Sequence, residues 1–176
     1  MSLEPKVGWL LSYSYLWADE HRRGAEEGIK NRPCALVAAT RRDGDRIVAI
    51  VVPVTHSPPA DPATAIEIPA VTKARLGLDA QRSWIVCNEA NVFAWPGPDL
   101  RAAGRQTPPS IWYGPLPPKL ATAAREKPPP AGPPSPWVRV GLGVPTEPLT
   151  GPSCPAFSSR EWVAPSCRRR VAFAPI

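Results

Sequence analysis

Arg32 and Pro33 stand directly in front of the apolar run Cys34, Ala35, Leu36 and Val37. Proline has no backbone N–H, so it fits the first position of a strand and not its middle. The run therefore predicts a buried strand with a permanently charged guanidinium at its mouth. A guanidinium is a planar fork that pairs with two oxygens of a phosphate at once. A rigid neighbour helps keep it in place. Two readings stay open here: a cation held for an anionic group, and a solvated strand end. Thr55 and His56 follow a second apolar run, 46–54. The Thr55 hydroxyl can donate to a phosphate oxygen, and His56 can move a proton near neutral pH. Their ordinary readings are a turn threonine bonding its own backbone and a loop histidine.

Metal chemistry has no such starting point. The four cysteines, Cys34, Cys87, Cys154 and Cys167, form no C-x-x-C pair, and His21 and His56 are the two histidines of the chain. Zinc-type spacing is absent, so neither a metal nor a cofactor is expected. Cys34 and Cys87 lie in apolar runs and read as small core residues.

These residues need strands to position them. In the stretch 7–17, Val7, Trp9, Leu11, Tyr13, Tyr15 and Trp17 alternate at period two, which predicts a strand with one buried face. Residues 18–32 read as a long polar loop. Asp43-Gly44 predicts a tight hairpin between the strand from Pro33 and the strand over 46–54. The stretch 55–64 is a loop stiffened by three prolines, followed by a short strand at 65–68. The stretch 69–78 predicts one or two helical turns, with Pro69 near the start and Gly77 past the end. Short strands at 83–87 and 92–95 flank Asn88, Glu89, Ala90 and Asn91. A helix begins within 117–127, and the prolines from 128 end it. Several short strands with one or two small helices predict a mainly β chain, a small antiparallel barrel.

The chain has 176 residues and a net charge of +6. The excess lies late in the chain: residues 1–117 hold 13 Lys and Arg against 12 Asp and Glu, and residues 118–176 hold 8 against 3. The basic balance thus does not by itself make the folded part a nucleic-acid binder. Half of the 26 prolines also fall in 118–176. Such composition predicts disorder, so a domain over 1–126 and a Pro-rich basic tail over 127–176 are expected, the tail adding little to folding. A genuine extension or a changed reading frame would each produce this switch. No run approaches the roughly 18 apolar residues of a membrane span. The first residues lack a signal layout, so a soluble, cytoplasmic protein is expected.

Four stretches, GWLLSYSYLW, GIKNRPCALVAAT, IVVPVTHSP and SWIVCNEANVFAWPG, together resemble the PemK/MazF family of bacterial toxins over about residues 5–117. The glycine followed by Arg-Pro and an apolar strand carries most of the resemblance, with Val-x-Pro-Val-Thr as its companion. The resemblance implies an SH3-like barrel and a homodimer. It implies cleavage of single-stranded RNA without a metal, with the RNA 2′-hydroxyl as nucleophile, and inhibition by a cognate antitoxin. It assigns Arg32 and Thr55 to catalysis. The family's acidic base aligns with Asn88, which cannot accept a proton, so Glu89 beside it takes that role or the role moves elsewhere. His21, Arg22, Arg23, His56, Asn88 and Asn91 are then the candidate RNA-binding residues, and Trp9, Trp17, Trp84 and Trp95 candidate stacking surfaces or core. A dimer also suits the apolar stretch 47–52 if its edges lack partners. Two other readings remain open: a silent barrel that binds nucleic acid or peptide, and a relative that poisons DNA gyrase.

Overall fold

The computed structural model describes residues 3–42, 46–104, 108–127 and 137–140, Arg42 and the last four by backbone alone. In chain order the elements are β1 (Trp9–Ser14), α1 (Ala18–Arg22), β2 (Asn31–Arg42), β3 (Arg46–Thr55), β4 (Ala65–Glu67), α2 (Ala70–Arg75), β5 (Trp84–Val86), β6 (Ala90–Trp95), β7 (Leu100–Arg101), β8 (Trp112–Pro115), α3 (Pro118–Glu126) and β9 (Trp137–Val140). All lie within one compact unit, Met1–Gly143.

β2 and β3 form the frame. They pair antiparallel from Cys34 against Pro53 to Arg42 against Arg46. That is the predicted hairpin, although its turn at 43–45 lies outside the described residues. The register shifts between Leu36 and Ala38, a bulge in β2. A bulge bends its strand and increases the twist, which lets the sheet curl over one of its faces. The flanking strands change along the frame. β6 pairs with β3 over Ile47–Val51, and β5 takes over at Val54 and Thr55. Across the sheet, β1 pairs with β2 on one edge. Its other edge takes β8 at Trp9, Leu10 and Leu11, then β7 at Ser12 and Tyr13.

The chain is thus mainly antiparallel β with short helices, as expected. The path of pairing, β4-β5-β3-β2-β1-β7, has two free ends, so the sheet is curled without closing into a ring. β3 is paired along both edges, which removes the argument that its apolar stretch needs a second copy. β9 lies beyond the predicted boundary at 126 and pairs parallel to β6, from Ala90 against Trp137 to Phe93 against Val140. The remainder of 127–176 after Lys127 lies outside the described residues.

The polar loop expected at 18–32 begins instead with α1. Trp17 N–H donates to the Glu20 carboxylate at 3.3 Å, which caps the helix start. The period-two reading of β1 also needs correction, because the strand is buried on both faces. Leu11, Tyr13 and Tyr15 point into a core with Cys34, Leu36, Ala49, Val51, Phe93, Trp95 and Trp112. Leu10 points the other way, with Ala35, Val52, Val54 and Ile85. Leu76, just past α2, and Ala124 of α3 cover that second face. Two buried faces explain why the strands read as near-continuous apolar runs. Trp95 is buried, whereas Trp9, Trp17 and Trp84 are half-buried. Among the described residues no helix is long and apolar enough to cross a membrane.

Asn91 lies in this core and is fully buried. Its Oδ1 accepts from the Leu16 N–H at 3.0 Å, and its Nδ2 donates to the Leu16 carbonyl at 2.8 Å. The expected RNA-binding role for Asn91 is therefore corrected: both ends of its amide are engaged within the protein. Asn91→Ala strands two buried backbone groups, at about 1–3 kcal/mol each. It should lower Tm by on the order of 10 °C, as read from thermal unfolding of the full chain.

Candidate active site

The candidates gather where β2 begins, β3 ends and β6 begins. The antiparallel register of β2 and β3 places Cys34 opposite Pro53. Arg32 and Thr55 each lie two residues beyond that end pair, Thr55 opposite Trp84 of β5. Arg32 pairs with Tyr13 of β1. Side chains of facing residues share one side of the sheet, here the side of the aromatic core.

Arg32 is half-buried, and its Nε is buried without a hydrogen-bond partner. Its guanidinium carbon lies 5.2 Å from the centre of the Trp17 ring. This cation–π contact holds the head group while leaving its donors unspent. The Trp17 ring in turn meets Tyr15 edge-on at 5.2 Å. Gly28, four residues before Arg32, explains how the chain gets there. Ser14 Oγ donates to its carbonyl at 2.8 Å, and a Cβ at Gly28 would collide with the Tyr15 carbonyl. Only a glycine lets the segment leading into β2 lie against the end of β1.

Glu89 stands just ahead of β6, with Tyr15 and the start of α1 around it. It is half-buried, and its Oε1 is buried without a partner. The Tyr15 hydroxyl beside it is also buried and completes no hydrogen bond. Burial pushes the Glu89 carboxyl up to about 7. The Tyr15 hydroxyl, the Ala18 N–H and Arg22 pull it down, and Asp19 pushes it up. Burial of Tyr15, reinforced by the Glu89 charge, raises the phenol well above its ordinary range. A carboxyl poised near neutral pH can accept a proton and return it. Glu89 is thus half-buried and not a fully solvated charge at the strand end. Asn88 is half-buried with its Oδ1 unpartnered.

Thr55 and His56 form a second group. The Thr55 hydroxyl accepts from the Ser57 N–H at 3.1 Å, a local turn bond. His56 Nε2 lies 2.9 Å from Asp79 Oδ2. Asp79 also accepts from Lys73 at 2.9 Å, and Lys73 further donates to Ser83 Oγ and to the Gln81 carbonyl. These bonds hold the Asp79 carboxyl below its usual range, the one from Lys73 most. Thr55, His56 and Asp79 line a small cavity of about 40 Å³ together with Pro33. Arg32 thus joins the two groups, its side chain against Trp17 and its neighbour Pro33 against Thr55 and His56. A larger groove, about 320 Å³, lies elsewhere, between β4 and α3, and Ile66, Pro69 and Leu120 line it without any candidate residue.

His21, Arg22 and Arg23 are exposed at the end of α1. The helix fans them apart, and Arg22 is ion-paired with Asp19. The expected set omitted Tyr15. Its place in a period-two apolar strand reads as core, and its ring is core; only the unpartnered hydroxyl sets it apart. The chain matches no family model, curated protein or solved structure.

The raised Glu89 carboxyl has a consequence for stability. The folded chain holds this proton up to about pH 7, and the ordinary carboxyl releases it near 4.5. Between those values unfolding releases a proton, so this group makes stability fall as pH rises. With partial solvent access discounted, the loss is about 1–2 kcal/mol. Glu89→Gln should remove it, so that denaturant unfolding at about pH 8 finds the variant more stable than the parent and at about pH 4 finds them nearly equal.

Proposed function

We propose that the chain is a toxin ribonuclease of the PemK/MazF type, with an SH3-like barrel, that cuts single-stranded RNA without a metal. One observation carries this reading: a partly buried carboxyl at Glu89 is poised near neutrality at the sheet end where Arg32 keeps its donors free. An acid–base group and an anchored guanidinium at one end of the sheet are what attack of a 2′-hydroxyl on the adjacent phosphate calls for.

In this reading Glu89 takes the proton of the 2′-hydroxyl. The O2′–P bond forms and the P–O5′ bond breaks, giving a 2′,3′-cyclic phosphate and a 5′-hydroxyl end. Arg32 donates to the phosphorane oxygens as their charge builds, and Thr55 adds a neutral hydrogen bond. Thr55 must first give up its local turn position or use its hydroxyl proton, which the bond from Ser57 leaves free. His56, oriented by Asp79, supplies the proton to the leaving O5′. His21, Arg22, Arg23 and Asn88 border the path of the strand. The homodimer, the cytoplasmic location and an acidic antitoxin segment that covers the Arg32 end rest on the family resemblance.

Arg32→Ala should lower cleavage of single-stranded RNA by on the order of 10²–10³ and leave Tm nearly unchanged. Arg32→Lys should recover only part, because an ammonium cannot pair with two oxygens at once. Thr55→Ala should cost less than Arg32→Ala. Cleavage by the parent should survive EDTA, and its products should carry cyclic phosphate ends. A parent that binds RNA without cutting it supports the silent barrel, and one that only blocks gyrase supports the third reading. Arg32→Ala cutting at the parent's rate would leave Arg32 a strand end and nothing more.

A further inference from the structure

Tyr15 is 1% exposed, yet its hydroxyl has no hydrogen-bond partner. Leaving such a group unpaired costs about 1–3 kcal/mol, and a phenylalanine would fill the same space without that cost. Buried polar groups left unpaired are rare enough to need a reason. The reason lies beside it. The Glu89 Oε1 is also buried with no partner at full hydrogen-bond geometry, and the Tyr15 hydroxyl lies close enough to Glu89 to hydrogen-bond its ionised form. A phenol has one proton to donate, and an ionised carboxylate only accepts. The two complement each other in one protonation state, with Glu89 ionised and Tyr15 neutral. The ring has little freedom to turn away, packed in the aromatic core with the Trp17 ring edge-on to it.

We propose that Tyr15 is the positioning residue of Glu89: its buried hydroxyl is the donor that orients the carboxylate and favours its proton-accepting form. This rests on the ribonuclease reading, in which Glu89 is the base, and names the group that tunes it. The charged and titratable neighbours of the pair are few. Asp19 and Arg22 of α1 face Glu89, and Cys34 of β2 and Tyr13 of β1 face Tyr15. Cys34 is held in its neutral form by burial, and the buried Tyr13 phenol likewise keeps its proton. Asp19 and Arg22 are paired with each other, so their opposed effects on Glu89 largely cancel. With the Ala18 N–H, Tyr15 then favours the ionised over the neutral carboxyl, and of the two it is the side chain.

The test is Tyr15→Phe in the full chain, read in two ways. The first is the midpoint of the Glu89 carboxyl followed by carbon NMR against pH, which needs no catalytic activity. The second is the pH dependence of single-stranded RNA cleavage. Removing the donor should move the Glu89 midpoint up by about one pH unit. The acid limb of the rate profile should move with it, a loss of about tenfold near pH 6 that shrinks to about threefold or less near pH 9. Tm should not fall at about pH 5, where Glu89 holds its proton and the hydroxyl has no carboxylate to serve. In a Glu89→Gln background the same substitution should leave the residual rate unchanged, because the group it acts through is gone. A Glu89 midpoint that does not move overturns the proposal. A moved midpoint with an unmoved acid limb overturns it too, since Tyr15 would then tune a carboxyl that is not the base. A parent that cuts no RNA overturns the ribonuclease reading instead, and the NMR midpoint still decides whether Tyr15 governs Glu89.

Discussion

The buried side-chain amide of Asn91 ties the two halves of the site together. It accepts from and donates to the backbone of Leu16, 75 residues away. Leu16 is the residue between Tyr15 and Trp17, where the chain leaves β1 and turns into α1. Asn91 is two residues beyond Glu89, at the start of β6. One amide thus fixes the segment that carries the phenol and the indole against the segment that carries the carboxyl. The clamp works because a backbone N–H and carbonyl buried without a strand partner have no other way to be satisfied.

The rest of the site is arranged around that clamp. The Trp17 ring, placed by the turn out of β1, receives the Arg32 guanidinium. Gly28 admits the incoming strand close enough for this to happen. The pairing of β3 with β2 and with β6 brings the start of β2, the end of β3 and the start of β6 to one end of the sheet. Tyr15, Arg32, Asn88 and Glu89 each keep a buried polar atom unpaired at this end. A fifth such atom, the Tyr13 hydroxyl, is nearby, on a residue that pairs with Arg32. A stable core alone would have no use for this concentration of unmet polar groups, each of which weakens folding. A site that must meet a charged ligand gains from it, because the donors and acceptors are preorganised before the ligand arrives.

The second polar group behaves differently. Lys73 is buried, but its ammonium reaches Asp79, Ser83 and the Gln81 carbonyl, so its donors are spent. Asp79 then holds His56. This network closes the loop after β3 onto the loop after α2. It is an internal brace, and through His56 it meets the cavity shared by Pro33 and Thr55. The contrast between spent donors at Lys73 and free donors at Arg32 separates a structural cation from one available for chemistry.

Much of the local structure was legible in the residues. The alternating and continuous apolar runs gave the long strands, Asp-Gly gave the β2–β3 pairing, and Pro69 and Gly77 bounded the α2 turn, because these signals depend only on neighbours in the chain. Strands β7, β8 and β9 were not legible. They are two to four residues long and form because β1 and β6 offer them unpaired edges. That Arg32 and Thr55 lie at the same end of the β2–β3 pairing could be read only from strand register. The role of Asn91 could not be read at all, since a buried amide and an exposed one have the same sequence signature. Asn88 has no basic group, but the sequence could not show that Glu89 beside it would be poised for proton transfer. Only the folded surroundings, a phenol on one side and a helix start on the other, remove enough water from Glu89 to raise its carboxyl.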